Sequence, residues 1–257
     1  MDELIEAAEQ AADEAGAVIR PLFRAGVTAD MKSDDSPVTI ADRNAEQAMR
    51  TVLASRFPGH GILGEEFGQD NARAGLCWVL DPIDGTRAFI TGRPVFGSLV
   101  ALLQDGVPIL GIIDQPVTGE RWIGVRGRPT RFRGPFGGAP GCRPCPALDQ
   151  AELSCTSTEV FEPQDLMAWE KLRNAARRTS FGGDCYAYGL LALGQIDVIA
   201  EATMKIWDWA ALVPVIEGAG GSLTDWQGHK LTSDSDGHTL AVGDPGLLAK
   251  AVAILTT

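Results

Sequence analysis

Positive charge is in short supply in this sequence. Its 257 residues carry 22 Lys and Arg against 34 Asp and Glu, a formal net charge of −12. So acidic a chain argues against nucleic acid or an anionic membrane as a main partner, since both are held through basic patches. Long apolar runs are missing too, and none reaches the ~20 residues that span a bilayer. The opening MDELIEAAEQ has neither a basic n-region nor an apolar h-region, so no secretory signal is expected. Cysteines number only five, at 77, 142, 145, 155 and 185. An odd, scattered set fits reduced thiols in a cytoplasm better than a disulfide framework. Cys142 and Cys145 make one C-R-P-C, but no second CxxC and no paired histidines follow to complete a tetrahedral site. The pair therefore reads as loop. Repeats and low-complexity tracts are absent.

What is present is a readable series of elements. Leu4, Ala8, Ala11, Ala15, Val18 and Leu22 recur at helical spacing and predict a helix over 2–24. After a polar loop, KSDDSP at 32–37, Thr39 is placed as an N-cap with Asp42 three residues on. Ala45, Ala48, Met49, Val52 and Leu53 form the stripe of a second helix, ended by Pro58-Gly59. LCWVL at 76–80 reads as a short buried strand. GSLVALLQ, VPILGIID and RWIGV read as further strands, turned at Asp105-Gly106 and Thr118-Gly119. The middle of the chain is then largely antiparallel sheet. The Gly/Pro-rich stretch 134–146 separates an N-terminal half, 1–138, from a C-terminal half, 147–257. The second half predicts strands at ELSCTS, QIDVIAEA, SLTDW and HTLAVG. Its helices fall near 163–177 and 185–193, from Asp208 and from Pro245. Blocks of strands and helices without strict alternation imply an α+β fold with layered, mixed sheets. Five arginines from 121 to 133 lack the basic domain and interleaved aromatics of a nucleic-acid site, and are assigned to a solvated hairpin face.

The chemistry concentrates in DPIDGTRAFITG, 81–92. Asp, Pro and Gly all favour turns, so a plain turn is one reading. The setting favours another. Trp78, Val79 and Leu80 run an apolar strand straight into Asp81, where a carboxylate is costly unless paired or bound to a cation. Pro82 fixes the turn so that Asp84 can point to the same side, with the Ile83 carbonyl between them. Hard oxygen ligands with room for water and phosphate suit Mg²⁺. Gly85 permits close backbone approach, and the amides near Gly85 and Thr86 can face a phosphate. Other acids could join: Glu65 and Glu66 in ILGEEFG, Asp42, and Asp208 in WDWAAL. Each also has a plain reading, as exposed loop, completed cap or helix-start residue.

WVLDPIDGT, with GEE sixteen residues upstream of Asp81 and WDWAA far downstream, closely resembles the inositol monophosphatase-like family of Mg²⁺-dependent, lithium-sensitive phosphatases. Lys32, TIAD at 39–42 and EGAGG at 217–221 fall in family order, so the resemblance covers nearly the whole chain. It implies a layered α-β-α-β-α sandwich related to fructose-1,6-bisphosphatase, and a homodimer. It implies that Glu65, Asp81, the Ile83 carbonyl and Asp84 bind Mg²⁺, and that Asp208 joins Asp81 and Asp84 at a second ion. Gly85 and Thr86 would hold the phosphate, with Asp84 and Asp208 facing the substrate. Thr86 and Asp42 would orient and deprotonate the attacking water, with Glu65 among the catalytic groups. Glu66 would support the site, through a third ion if three act, as would Lys32. Mn²⁺ is an alternative metal. Direct attack by water, helped by divalent ions, needs no covalent phospho-enzyme.

Three stretches depart from the inositol type. TRAFITGRP follows the second aspartate, and GIIDQPVTGERW at 111–122 and GGDCYAYG at 182–189 come later. All three resemble the histidinol-phosphate phosphatase branch, implying L-histidinol phosphate, a small phosphorylated metabolite, as substrate. A substrate with a cationic end calls for carboxylates beyond the metal cluster. Asp184 is the leading candidate, with Glu201 and Asp114 in neighbouring stretches; Asp184 as a helix cap is the competing reading. Arg87 could bind phosphate or pair with a surface acid. An inositol 1-phosphate or broad sugar-phosphate phosphatase is the alternative. A nucleotide 3′-phosphatase lacks a visible base cradle, and a catalytically dead metal-binding protein should lack a ligand, whereas all are present.

Overall fold

Two helices open the chain and lie side by side on one sheet. The computed structural model describes residues 1–31, 37–71 and 74–257. The first half runs α1 (Asp2–Leu22), β1 (Ala29–Met31), β2 (Pro37–Thr39), α2 (Ile40–Arg56), β3 (Gly61–Gly64), β4 (Gly68–Asp70), β5 (Leu76–Asp84), α3 (Thr86–Ile90), β6 (Gly97–Gln104), β7 (Val107–Gln115), β8 (Glu120–Val125) and β9 (Arg131–Arg133). The second runs β10 (Glu152–Cys155), α4 (Pro163–Ala175), β11 (Arg178–Phe181), α5 (Asp184–Ala192), β12 (Val198–Glu201), α6 (Ile206–Trp209), α7 (Leu212–Gly218), β13 (Ser222–Thr224), β14 (Thr239–Val242) and α8 (Leu248–Leu255).

A seven-stranded sheet has the order β4-β3-β5-β6-β7-β8-β9, antiparallel except where β3 pairs with β5. A five-stranded sheet has the order β11-β10-β12-β14-β13, with β10 parallel to both its neighbours. Period-two alternation splits each central strand between two cores. Trp78, Leu80, Val100 and Leu102 face the first helices, whereas Val79, Leu99, Ala101 and Leu103 face α5 and α7. In the smaller sheet Ile199 and Ala241 face that same middle layer. Val198, Ala200, Leu240 and Val242 pack instead with Trp169 and Leu172 of α4 and Ala251 and Leu255 of α8. Five layers result, helix–sheet–helix–sheet–helix, as the resemblance implied.

Several details differ from the sequence reading. The strand expected to end at Leu80 continues to Asp84, with a shift of register between Asp81 and Asp84 against β6. The helix expected from Asp208 begins at Ile206 and breaks after Trp209 before α7. Arg121 is not on a solvated face. It is 3% exposed and meets Asp114 at 2.6 Å and Asp13 at 2.7 Å, so the Arg-rich hairpin docks onto acids of α1. Asp114 is accordingly a buried structural partner, not a group offered to substrate. The Cys142 and Cys145 thiols are unpaired, and burial pushes Cys142 up to about 11, a poor thiolate former. No described helix is long and apolar enough to cross a membrane.

Candidate active site

β5 delivers two carboxylates to one end of the large sheet. Asp81 is buried at the last regular pairing, and its Oδ1 accepts the Ile83 amide at 3.0 Å, a tight local turn. Pro82 sits inside the register shift, where its missing N–H costs no ladder bond. Its carbonyl instead accepts the Ser98 hydroxyl at 2.7 Å. The shift brings Asp84 round to the same side. Asp208, in the first turn of α6, accepts the Lys205 amide at 2.6 Å. Ligand atoms of Asp81, Asp84 and Asp208 all lie within 4.8 Å of one another.

Thr39 caps α2 and forms the expected capping box: the Asp42 Oδ2 accepts the Thr39 amide at 2.8 Å and its hydroxyl at 2.6 Å. The other Asp42 oxygen is left to face the site. Thr86 Oγ1 lies 3.2 Å from it and 3.2 Å from the Ile83 carbonyl. Asp42 and Thr86 thus meet although 44 residues apart. Gly85 stands at the N-cap of α3 with φ +92, and a Cβ there would come within 2.8 Å of the Asp184 carboxyl carbon. Only glycine suits both the conformation and the contact.

Electrostatics mark the same residues. Burial pushes the Asp81 carboxyl well above its usual range, and the neighbouring charges of Glu65, Asp84, Asp208 and Asp42 add to it. Asp84 is raised by burial, then by Asp184 and Asp208. Burial lifts Asp208 to about 7, and Glu65 contributes, against the lowering effect of the Lys205 amide. Asp42 is raised by burial. Acids held this way ionise together only if a cation of high charge is present. The donors are all carboxylate and carbonyl oxygens, a hard set fitting Mg²⁺ or Mn²⁺ rather than a thiophilic metal.

Two cavities adjoin here. An inner one of about 140 Å³ is lined by Asp84, Asp184, Glu201 and Asp208. An outer one of about 660 Å³ is lined by Glu65, Gly85, Thr86, Arg87, Arg93 and Asp184. Thr156, Val160, Asp184 and Thr203 border both, so they form one cleft. Glu65 lines the larger cavity and stands apart from the tight trio. Asp184 makes no cap for α5, and the Cys185 amide goes to Asp84 Oδ2 at 2.5 Å. Its backbone holds φ +44, unusual for a non-glycine residue. Burial raises its carboxyl to about 6, although Arg93 and Arg87 pull it down. Glu201 is buried, accepts the Thr156 amide and hydroxyl at 2.8 and 2.9 Å, and is raised by burial to about 7. Arg87 pairs with the exposed Glu159 at 3.1 Å, the surface pairing, while still bordering the outer cavity. Lys32 lies outside the described residues.

Sequence reading passed over Glu46 and Arg50. Glu46 is fully buried, and its carboxylate accepts the amides of Glu66 at 2.7 Å and Phe67 at 3.2 Å. A signal was available, because Asp42, Glu46 and Arg50 are spaced by four on one buried face of α2.

Comparison with known proteins finds relatives across nearly the whole chain. The chloroplastic bifunctional phosphatase IMPL2 of Arabidopsis thaliana is 47% identical over 90% of this chain, and the match spans 66% of that protein's length. The histidinol-phosphatase of Mycobacterium tuberculosis is 39% identical over 84% of this chain and 85% of its own. A solved inositol monophosphatase from Zymomonas mobilis is 49% identical, superposes with a TM-score of 0.90 and covers 100% of this chain and 98% of its own. The profile of the inositol monophosphatase family matches residues 1–255, and with the five-layered fold and the acidic cleft this chain belongs to that phosphatase family.

Proposed function

We propose that the chain is a Mg²⁺-dependent phosphomonoesterase acting mainly on L-histidinol phosphate, yielding L-histidinol and phosphate in histidine biosynthesis. The observation that carries the chemistry is the cluster of Asp81, Asp84 and Asp208 within 4.8 Å, beside the Asp42–Thr86 contact. Glu65, Asp81, the Ile83 carbonyl and Asp84 would hold Mg²⁺, with Asp208 sharing a second ion; Mn²⁺ has the same donor preference. Bound divalent ions supply Lewis-acid polarisation of the phosphoryl group and an acidic water. The chain's own residues orient and deprotonate. Thr86 Oγ1 accepts the proton of the attacking water while passing its own to Asp42 Oδ1; the water oxygen bonds to phosphorus, the P–O bond to the alcohol breaks, and the freed alcohol oxygen takes a proton from solvent. The Gly85 and Thr86 amides hold phosphate oxygens, and Glu66 and Lys32 support the site.

Asp184 meets the cationic end of the substrate. Its failure to cap α5, its place in both cavities and its raised carboxyl support that role. The resemblance to the M. tuberculosis histidinol-phosphatase supports the same substrate. Inositol 1-phosphate is the second reading, favoured by the likeness to the Z. mobilis inositol monophosphatase. Unpaired thiols support a reducing cytoplasm, and the homodimer of the family resemblance is part of the same reading, to be checked by sedimentation.

The test is phosphate release from L-histidinol phosphate, inositol 1-phosphate, fructose 1,6-bisphosphate and 3′-phosphoadenosine 5′-phosphate, each with Mg²⁺ and with chelator. A Mg²⁺-dependent preference for L-histidinol phosphate is expected. Equal or better use of inositol 1-phosphate would keep the chemistry and overturn the substrate.

A further inference from the structure

Beneath the turn that carries Glu65 lies an ion pair with no part in the chemistry proposed so far. The turn joins β3 to β4, and β4 is a three-residue strand at the exposed edge of the large sheet. So short an edge strand gives little hold on the turn. Glu65 itself donates its amide to the Leu80 carbonyl of β5 at 3.2 Å, and past that point the hold comes from α2. Glu46, fully buried, accepts the Glu66 and Phe67 amides and the Arg50 Nε at 2.8 Å. Arg50, 7% exposed, spends its other nitrogens on the Gly68 carbonyl at 2.5 Å and on Asp70 at 2.9 Å. At Gly64, just before the turn, a Cβ would collide with the Glu46 carboxylate. Two buried side chains of α2 thus fasten residues 66, 67, 68 and 70, directly after Glu65, and lie close against Gly64 just before it. The same helix presents Asp42 one turn earlier.

We infer that Glu46 and Arg50 are positioning residues for metal binding, acting through Glu65. The inference rests on the reading of Glu65 as a metal ligand. A buried carboxylate that accepts the two amides directly after Glu65 fixes the chain leaving that residue and so where its side chain can go, and groups that orient a ligand affect metal affinity by about ten- to a hundredfold. The pair also ties the placement of Glu65 to that of Asp42, since both hang on α2.

The experiment is calorimetric titration of the full-length protein with Mg²⁺, without substrate. The proteins are wild type, Glu46→Gln, Glu65→Gln and the double variant, each with its melting temperature. Glu46→Gln should weaken Mg²⁺ binding by about tenfold or more. In the double variant, Glu46→Gln should add little to the loss caused by Glu65→Gln, since both act through one ligand. A merely structural Glu46 would lower the melting temperature and leave Mg²⁺ affinity unchanged; that result, or fully additive losses, overturns the inference. If Glu46→Gln does not fold, Arg50→Lys replaces it, with the same direction expected and an unchanged affinity equally decisive against it. A wild-type protein that binds no Mg²⁺ would overturn the metal reading itself, an outcome separate from the variants.

Discussion

Three carboxylates whose oxygens lie within 4.8 Å repel one another when ionised. At an effective dielectric near 20 the repulsion is about 3 kcal/mol per pair. Burial is what first displaces these groups upward, unlike the many exposed acids, and at Asp81 and Asp84 the repulsion adds to it. Substitution can separate charge from shape. Asp84→Asn keeps an oxygen to accept the Cys185 amide, so circular dichroism should show an intact fold. Turnover should fall by more than about a hundredfold, the scale lost with one electrostatic stabiliser. Asp42→Asn should lower kcat by about 10²–10⁴, the usual contribution of a general base. Thr86→Ala should fall in that range, and Thr86→Ser should recover much of the loss in the same steady-state assay. That these acids meet was legible because DPIDGT keeps two carboxylates within four positions and TIAD keeps a cap beside an acid. Asp114 was misjudged because its partner Arg121 stands across a hairpin, and α1 seals the pair. No local pattern records that closure.

Elements were legible where periodicity is long and opaque where pairing does the work. α1 and α2 fit their apolar stripes, and β6, β7 and β8 were found from their apolar runs and the turns between them, at Thr118-Gly119 and at Asp105-Gly106, where both residues have positive φ. β3, β4 and β11 escaped, being three or four residues held by neighbours rather than by pattern. The Arg-rich hairpin shows how such docking governs stability. Arg121 lies between Asp114 of β7 and Asp13 of α1, and Arg133 reaches Asp13 at 3.8 Å. Arg121→Met would leave the buried Asp114 carboxylate without its partner, a loss of about 3–5 kcal/mol. Adding Asp114→Leu should restore much of it, because an apolar pair of similar volume carries no desolvation penalty. Urea denaturation of the single and double variants measures both. An unchanged midpoint in Arg121→Met would mean that the hairpin docks through Trp122 and Phe132 instead.

At the scale of the whole molecule the cleft makes stability depend on pH and metal together. Asp208 has its carboxyl raised to about 7, and Asp81 and Asp84 are raised by burial and mutual repulsion. In the unfolded chain such groups titrate near 3.9. Between about pH 4 and 7 the folded metal-free protein therefore holds more protons than the unfolded one. Where the native state binds the extra protons, stability falls as pH rises. The metal-free protein should accordingly weaken across that window as its cleft ionises. Divalent cations compete for the same oxygens, so their binding should strengthen as the protons leave. At a hundredfold excess over Kd a ligand adds about 2.7 kcal/mol, which for a chain of this size is a rise in Tm of about 5–10 °C. The rise caused by Mg²⁺ should be near that size at pH 8 and much smaller at pH 5. His238 also titrates in this range: burial would lower it, but Asp236 and Asp165 hold it raised, so its stabilising charge is lost as pH increases. It lies outside the acidic cluster and titrates alike in both samples, so subtracting the chelator curve from the Mg²⁺ curve at each pH removes it. Paired thermal melts from pH 5 to 8 make the measurement, and a Mg²⁺ effect independent of pH would mean that the cation binds outside the cluster.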